Sequence, residues 1–428
     1  MASFSIPLTG LEADSTALNT IANDLSNMNT TAFKAQSTDF SDLFYQLIGS
    51  TGSGDPIQVG AGVTVASNEI AFTQGSINST GNSTDVALNG SGFFVVSNGA
   101  GGYEYSRAGN FSLDTNGALV TSNGLSVMGY PAVNGVVNTS APLTAINIPV
   151  GQVQEPQATT TLNMTANLDA ATAAGTQFPA QVTIYDSLGE PHVATVTFKP
   201  TATANTWTYS VALPATDFAS GVSTPVTGAM TFDANGNLTT VQPTGAPGPE
   251  AVGTAAGDVS SIALAFNGLA DGAKNLSMQW NLLGTGGTPT ISQVDTASAV
   301  SATTQDGYAS GQYQSFTIGS DGTVTASYSN GQLLNVGQLA LANVANLQGL
   351  SLLGDGDYAT TLASGTAAAG TSGTSGLGTL QDGALEASNV NISSEFSDLI
   401  IAQRAFEANA KSVTTFDTVT QDTINMVH

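Results

Sequence analysis

Apolar residues at the two ends of the chain recur every three or four positions, whereas those between recur every two. From Phe4 to Met28 the residues Phe4, Leu8, Leu11, Leu18, Ala22 and Leu25 follow a three-four alternation, with Ile21 and Met28 beside the seam. That spacing predicts one amphipathic helix, entered at Pro7 or just after it. At the other end, three-four steps from Ile392 pass through Phe396, Leu399, Gln403, Phe406, Ala410, Val413, Asp417, Thr420, Ile424 and Val427. Most of these are apolar, and a heptad-like stripe held over about five repeats predicts a long helix suited to a coiled-coil partner.

Between the ends the period is two, with turn residues at intervals. FSLDTNGALVT (111–121) and MTFDANGNLTTV (230–241) each carry Asn-Gly between alternating runs, the pattern of a β-hairpin. Residues 316–344 contain an Asp-Gly and an Asn-Gly turn and read as a three-stranded meander. The middle of the chain is therefore expected to be antiparallel β. Two stretches read as linkers: the polar, proline-containing 150–160, and 364–379, a low-complexity run of Gly, Ala, Ser and Thr.

Charge changes the picture of possible partners. The chain has 428 residues, 31 acidic and 6 Lys or Arg, for a net charge of −25. The cations Lys34, Arg107, Lys199, Lys274, Arg404 and Lys411 stand singly, so no basic patch exists to neutralise phosphates or an anionic bilayer. Nucleic acid and membrane insertion are excluded as partners on these grounds and on the lack of any spanning apolar run. There is no cysteine, which removes disulfides, zinc ribbons and thiol nucleophiles. The N-terminus lacks the basic region and apolar core of a cleaved Sec signal.

An isolated helix with an unburied stripe is marginal in water. Both ends therefore need something to pack against. Periodicity alone favours terminal helices that cover their own domain's core; the further possibility is that the ends pair and then pack against copies of the chain, coupling helix formation to assembly.

Candidate chemistry is sparse. No GxSxG, GxGxxG or P-loop pattern occurs. His192, in DSLGEPH, reads as a strand or turn residue, and Asp355 and Asp357, in GDGDY, as a solvated loop. Trp207 and Trp280 sit among alternating neighbours and read as strand residues. The sequence nominates no catalytic residue, cofactor or metal, and an enzyme is not expected.

TIANDLSNMNTTAFKAQ (20–36) resembles the N-terminal signature of the bacterial flagellar rod and hook protein family, carried by Asn23, Asn29, Thr30, Phe33 and Lys34. LEASNVNISSEFSDLIIAQRAFEANAKSVTTFDTV (385–419) is similar to the family's C-terminal signature through Asn389, Gln403, Arg404, Phe406 and Asn409. ALNGSGFFVV (87–96) and 105–121 resemble the segment shared by rod and hook members, while 182–198 and 306–332 look like hook members specifically. About 150 residues between Gln154 and Gln305 also favour hook over rod. One departure is Ala32, where the family commonly has Gly.

The resemblance implies an α+β chain: mainly antiparallel β domains nested inside a terminal α-helical coiled-coil domain. Its implied parts are an inner helical domain (1–31 and 386–428), a linking segment (32–70), a split inner β domain (71–153 and 305–385) and an inserted outer β domain (154–304). It further implies a structural subunit polymerising into a curved tube that transmits torque and encloses an export channel. The implied assembly residues are Leu8, Leu11, Leu18, Ile21, Leu25 and Met28 at one end, and Ile392, Phe396, Leu399, Phe406, Ala410, Val413, Ile424 and Val427 at the other. Implied partners are further copies of the chain, a distal rod protein, a hook cap protein, a hook-filament junction protein and the flagellar type III export apparatus, at a location outside the cell. The alternative is a secreted adhesin or surface-layer module built on the β domains.

Overall fold

The structure is a computed structural model that describes residues 5–50, 55–97, 99 and 101–426. It divides into two units, one comprising Met1–Val150, Gln314–Ser327 and Leu333–His428, the other Gly151–Tyr313 and Tyr328–Gln332.

The first unit holds both helices. Helix α1 spans Ser5–Ser26 and helix α2 spans Ile392–Met426. Helix α2 starts where Asn391 supplies the cap: its Oδ1 accepts from the Ser393 N–H at 3.0 Å, satisfying one of the free donors of the first turn. After α1 the chain reverses at Ala32, whose φ of 54° lies in the left-handed region. This is the position where the resembled family commonly carries glycine, the residue that adopts that conformation without strain. The Ala32 N–H is held by the Glu386 carbonyl at 2.8 Å.

Four strands follow: β1 (Gln36–Asp42), β2 (Gln46–Ser50), β3 (Pro56–Val59) and β4 (Val63–Ile70). They pair antiparallel as β1 with β4 and β2 with β3. The remainder of this unit is β-rich, with a core that includes Phe93, Val95, Tyr105, Tyr130, Ala342 and Tyr358. Phe72, Phe93 and Tyr358 meet there with ring centroids 5.4 to 5.9 Å apart. The 111–121 hairpin forms as Ser112–Leu113 against Leu119–Val120.

Two expectations fail in this unit. Residues 364–379 are not a linker: Ala368–Gly370 pairs antiparallel with Leu341–Asn343, and Ser364, Ser372 and Leu377 are buried. The small residues serve close backbone approach, since a Cβ on Gly378 would lie 2.3 Å from the Asn89 carbonyl oxygen. Asp357 is not in a solvated loop either. It is buried in the strand Asp357–Ala359 and accepts from Asn123 Nδ2 at 2.7 Å. Burial pushes its carboxyl above the ordinary value, against the pull of Ser106 and Asn123.

The second unit is a sandwich. One sheet is antiparallel and six-stranded, running in order through Phe178–Tyr185, Pro191–Pro200, Thr206–Ala212, Val226–Phe232, Leu238–Pro243 and Glu250–Ala251. The 230–241 hairpin lies within it. The other sheet centres on Thr161–Asp169, which pairs parallel with Leu276–Asn281 and Ile291–Val294 and antiparallel with Ala299–Gln305. Side chains from both sheets fill one core, in which Trp280 packs edge-on against Phe198 and Tyr209 at 6.1 and 5.8 Å. Trp207 and Trp280 are core residues, as their alternating neighbours suggest.

Candidate assembly surface

Small residues, not leucines, form the buried face of α1. Pro7, Gly10, Ala13, Ala17, Thr20 and Asp24 are its buried positions. Part of this face meets α2, where Asn409 Nδ2 donates to Asp14 Oδ2 at 2.8 Å and Ala402 is the buried residue of α2 among those described. The rest meets β1 and β4. Thr38 Oγ1 donates to Thr20 Oγ1 at 3.1 Å, the Gln36 N–H donates to Asp24 Oδ2 at 2.7 Å, and the Val63 N–H donates to Thr9 Oγ1 at 3.3 Å. Asp24 is fully buried with its Oδ1 unpaired, and burial holds its carboxyl above the ordinary value.

The apolar stripes are therefore only partly covered by the pair. Leu8 and Met28 are exposed; Leu11, Leu18, Ile21 and Leu25 are half-buried. On α2, Ile392, Phe396 and Ile424 are exposed and Leu399, Phe406, Ala410 and Val413 half-buried. Val427 lies outside the described residues. Ile400 and Ile401, which the stripe did not include, are 57% and 65% exposed. The paired strands β2 and β3 and the residues just before β2 add Phe44 at 91% exposure, with Tyr45, Ile48, Ile57 and Val59 also open. A cavity of about 400 Å³ opens among α1, α2 and β1, lined by Ala17, Ile21, Phe40, Ile401, Ala402 and Ala405 among others. So many exposed large apolar side chains on neighbouring elements exceed what isolated surface residues account for.

Behind this surface the signature residues lock the ends of the chain together. Glu386 Oε1 accepts from Lys34 Nζ at 2.6 Å and from the Gly75 N–H at 2.9 Å, while Oε2 accepts from Arg107 Nε at 2.8 Å. All three charged side chains are buried. Carbonyls take further donors: Lys34 Nζ reaches Thr73 O at 2.9 Å, and the Arg107 guanidinium reaches Gly90 O and Gly92 O at 2.6 Å each. Burial holds the Lys34 ammonium below its ordinary pKa; Glu386 opposes that shift and Arg107 adds to it. Beside the triad, Asn389 Oδ1 accepts from the Ala35 N–H at 2.7 Å and its Nδ2 donates to Ala71 O at 2.7 Å. One amide thus holds three segments far apart in sequence.

Of the signature residues, Lys34, Asn389 and Asn409 enter these contacts. Phe33 carries the turn, its carbonyl accepting from the Asn389 N–H at 3.2 Å and its N–H donating to Thr30 O at 3.3 Å. Thr30 Oγ1 donates to Asn27 Oδ1, and Asn23 accepts from Asn27 Nδ2. Asn29, Gln403 and Arg404 are exposed, Arg404 pairing with Glu407 across a turn of helix. Sequence reasoning passed over Arg107, Glu386, Gly10 and Asp24. The available signal for Arg107 was a lone cation in a chain with six.

Paired terminal helices tied to β strands, with large apolar side chains left open on both, are the features of a structural subunit that packs against further chains. Residues 381–426 match the flagellar basal body rod FlgEFG C-terminal family, 87–167 the flagellar hook protein FlgE/F/G D1 domain, and 152–308 the flagellar basal body protein FlaE D2 domain. The chain is 35% identical to the flagellar hook protein FlgE of Escherichia coli over 99% of both chains, and 34% identical to that of Treponema pallidum over 98% of both. Among solved structures, the Helicobacter pylori flagellar hook protein FlgE2 shares the fold with a TM-score of 0.53 at 14% identity, covering 71% of this chain and 99% of that one. The chain belongs to the flagellar hook protein family. This is a family of structural flagellar components, and no helix among the described residues is long and apolar enough to cross a membrane.

Proposed function

We propose that this hook subunit polymerises through its terminal helices, burying on copies of itself the apolar side chains that the single chain leaves open. The observation that carries the reading is one-sided: α1 meets α2 and β1 through small residues, so Leu8, Met28, Phe396, Ile401 and their neighbours remain available. Repeated head-to-tail contacts that do not close generate a helical tube. In that tube the helices form the inner layer around an export channel, and the β units form stiff bodies outside it. Stiff bodies packed around a helical layer suit a joint that transmits torque through a bend.

Assembly against a charge of −25 per subunit must be driven by the apolar layer, because like-charged copies repel. The distal rod protein, hook cap protein and hook-filament junction protein are the expected neighbours at the ends of the tube, and the flagellar type III apparatus the expected export route. Electron microscopy of flagella from a strain lacking this chain tests the role. Missing hooks, restored by the wild-type gene, are expected; normal hooks in that strain would overturn it.

A further inference from the structure

One cluster of titratable groups lies within the sandwich unit. His192 stands in the strand Pro191–Pro200 opposite Ile184, and Asp186 follows the paired strand Phe178–Tyr185. Asp217 ends the short helical turn Ala215–Asp217. The loop carrying Asp271 is fastened to that turn by the Ala270 N–H on Asp217 O at 2.9 Å and the Ala219 N–H on Gly268 O at 3.0 Å.

Each carboxylate has one oxygen occupied and the other turned towards the imidazole. Asp186 Oδ1 accepts from the Leu188 and Glu190 N–H groups at 2.8 and 2.9 Å, and Asp271 Oδ1 accepts from the Ala273 N–H at 3.0 Å. Asp217 Oδ1 takes the Thr216 hydroxyl, leaving Oδ2 on His192 Nδ1 at 2.9 Å. An ionised carboxylate only accepts, so Nδ1 donates to Asp217 Oδ2, and this bond turns Nε2 towards the other two carboxylates.

Nε2 faces Asp186 Oδ2 at 3.6 Å and Asp271 Oδ2 at 4.0 Å, both beyond hydrogen-bond distance. His192 Nε2 and Asp186 Oδ2 are buried without a partner, on side chains 6% and 0% exposed. Buried polar atoms are seldom left so. These two atoms and Asp271 Oδ2 lie within 4.8 Å of one another. Ligands at ~2.1 Å from a zinc ion in roughly tetrahedral array stand about 3.4 Å apart, so a small inward movement of Asp271 completes the set.

We propose that Asp186 Oδ2, His192 Nε2 and Asp271 Oδ2 bind a divalent transition-metal cation of the zinc type, with Asp217 orienting the imidazole. A carboxylate on the far nitrogen of a ligating histidine fixes both tautomer and ring orientation. The mixed nitrogen and oxygen donors suit zinc better than calcium or magnesium, which prefer oxygen alone. Three protein ligands leave a position for water. The ion staples the 186–192 turn to the 215–217 turn and the 268–271 loop, so its binding stabilises the sandwich unit rather than catalysing a reaction.

The test is calorimetric titration of the chelator-treated full-length protein with zinc chloride, alongside calcium chloride. One zinc per chain is expected, with a raised unfolding temperature for the β-rich transition and no matching calcium site. Asp271→Asn, at a partly exposed position that tolerates change, should weaken zinc binding at least about tenfold, and Asp217→Asn by about 10- to 100-fold. Cobalt substitution gives a second readout in the visible absorption of a histidine-ligated ion. Absence of a stoichiometric zinc site in the folded wild-type chain, or zinc binding unchanged by Asp271→Asn, would overturn the proposal.

Discussion

Gly10 on α1 and Asn409 on α2 stand so close that a methyl group on Gly10 would lie 2.6 Å from Asn409 Nδ2. The amide cannot simply swing aside, because it donates to Asp14 Oδ2 at 2.8 Å. Close approach of the helices thus depends on a position with no side chain, at an intrinsic helix cost of about 1 kcal/mol relative to alanine.

Gly10→Val is accordingly expected to separate the helices and reduce tube formation, and Gly10→Ala to do so more mildly. Adding Asn409→Ala to Gly10→Ala should restore room and recover part of the loss. Amide hydrogen exchange over 5–26, with electron microscopy of the assembled product, reads both effects.

The buried triad predicts an asymmetric response. Glu386→Gln leaves Lys34 and Arg107 buried without their carboxylate, which costs about 3 to 5 kcal/mol when one partner of a buried pair is lost. Urea unfolding monitored by near-ultraviolet dichroism should show this fall. Arg404→Gln, which removes an exposed pair with Glu407, should change stability by less than 1 kcal/mol.

Ala32 offers a gain. Its left-handed backbone costs roughly 1 to 2 kcal/mol for a residue with a Cβ. Glycine removes that strain and gives back part of it as unfolded-chain entropy. Ala32→Gly is therefore expected to stabilise the chain by about 0.5 to 1 kcal/mol, measured by thermal unfolding.

Acid has a definite sign at Asp24. Its folded pKa is raised, chiefly by burial, so the folded state binds the proton before the unfolded chain does. Its unfavourable contribution is complete at neutral pH and diminishes as pH falls through the raised folded value towards the ordinary one. Glu395 behaves likewise, raised first by burial and then by Asp24 and Asp398. Mild acidification should favour the packed helices, and added salt should act in the same direction on repulsion between subunits. Asp24→Asn keeps an acceptor for the Gln36 N–H and should flatten the pH dependence of unfolding between neutral and mildly acidic conditions.

The helices were legible because strong apolar periodicity survives any tertiary context. The stripe expected from Ile392 to Val427 is answered by α2 at Ile392–Met426. The contact between the helices was not legible. Gly10, Ala13, Ala17 and Thr20 repeat at helical spacing, but their small apolar signal is hidden beneath the leucines that point elsewhere. Composition misled at 364–379, where glycine and serine suit tight backbone packing as well as a linker. The charge triad joins Lys34 to Glu386 across 352 positions, and no local pattern reports such a pairing. His192 reads from sequence as a strand or turn residue and lies in a strand, yet Asp217 and Asp271 come to it only through the turns of the sandwich.

In the proposed assembly the open apolar faces of the terminal helices supply the driving force. Electron microscopy of the purified full-length chain carrying Phe396→Ser and Ile401→Ser, compared with wild type under the same assembly conditions, tests it most directly. Tubes from wild type, none from the variant, and an unchanged unfolding transition of the β units are predicted; tubes of normal length and number from the variant would contradict it.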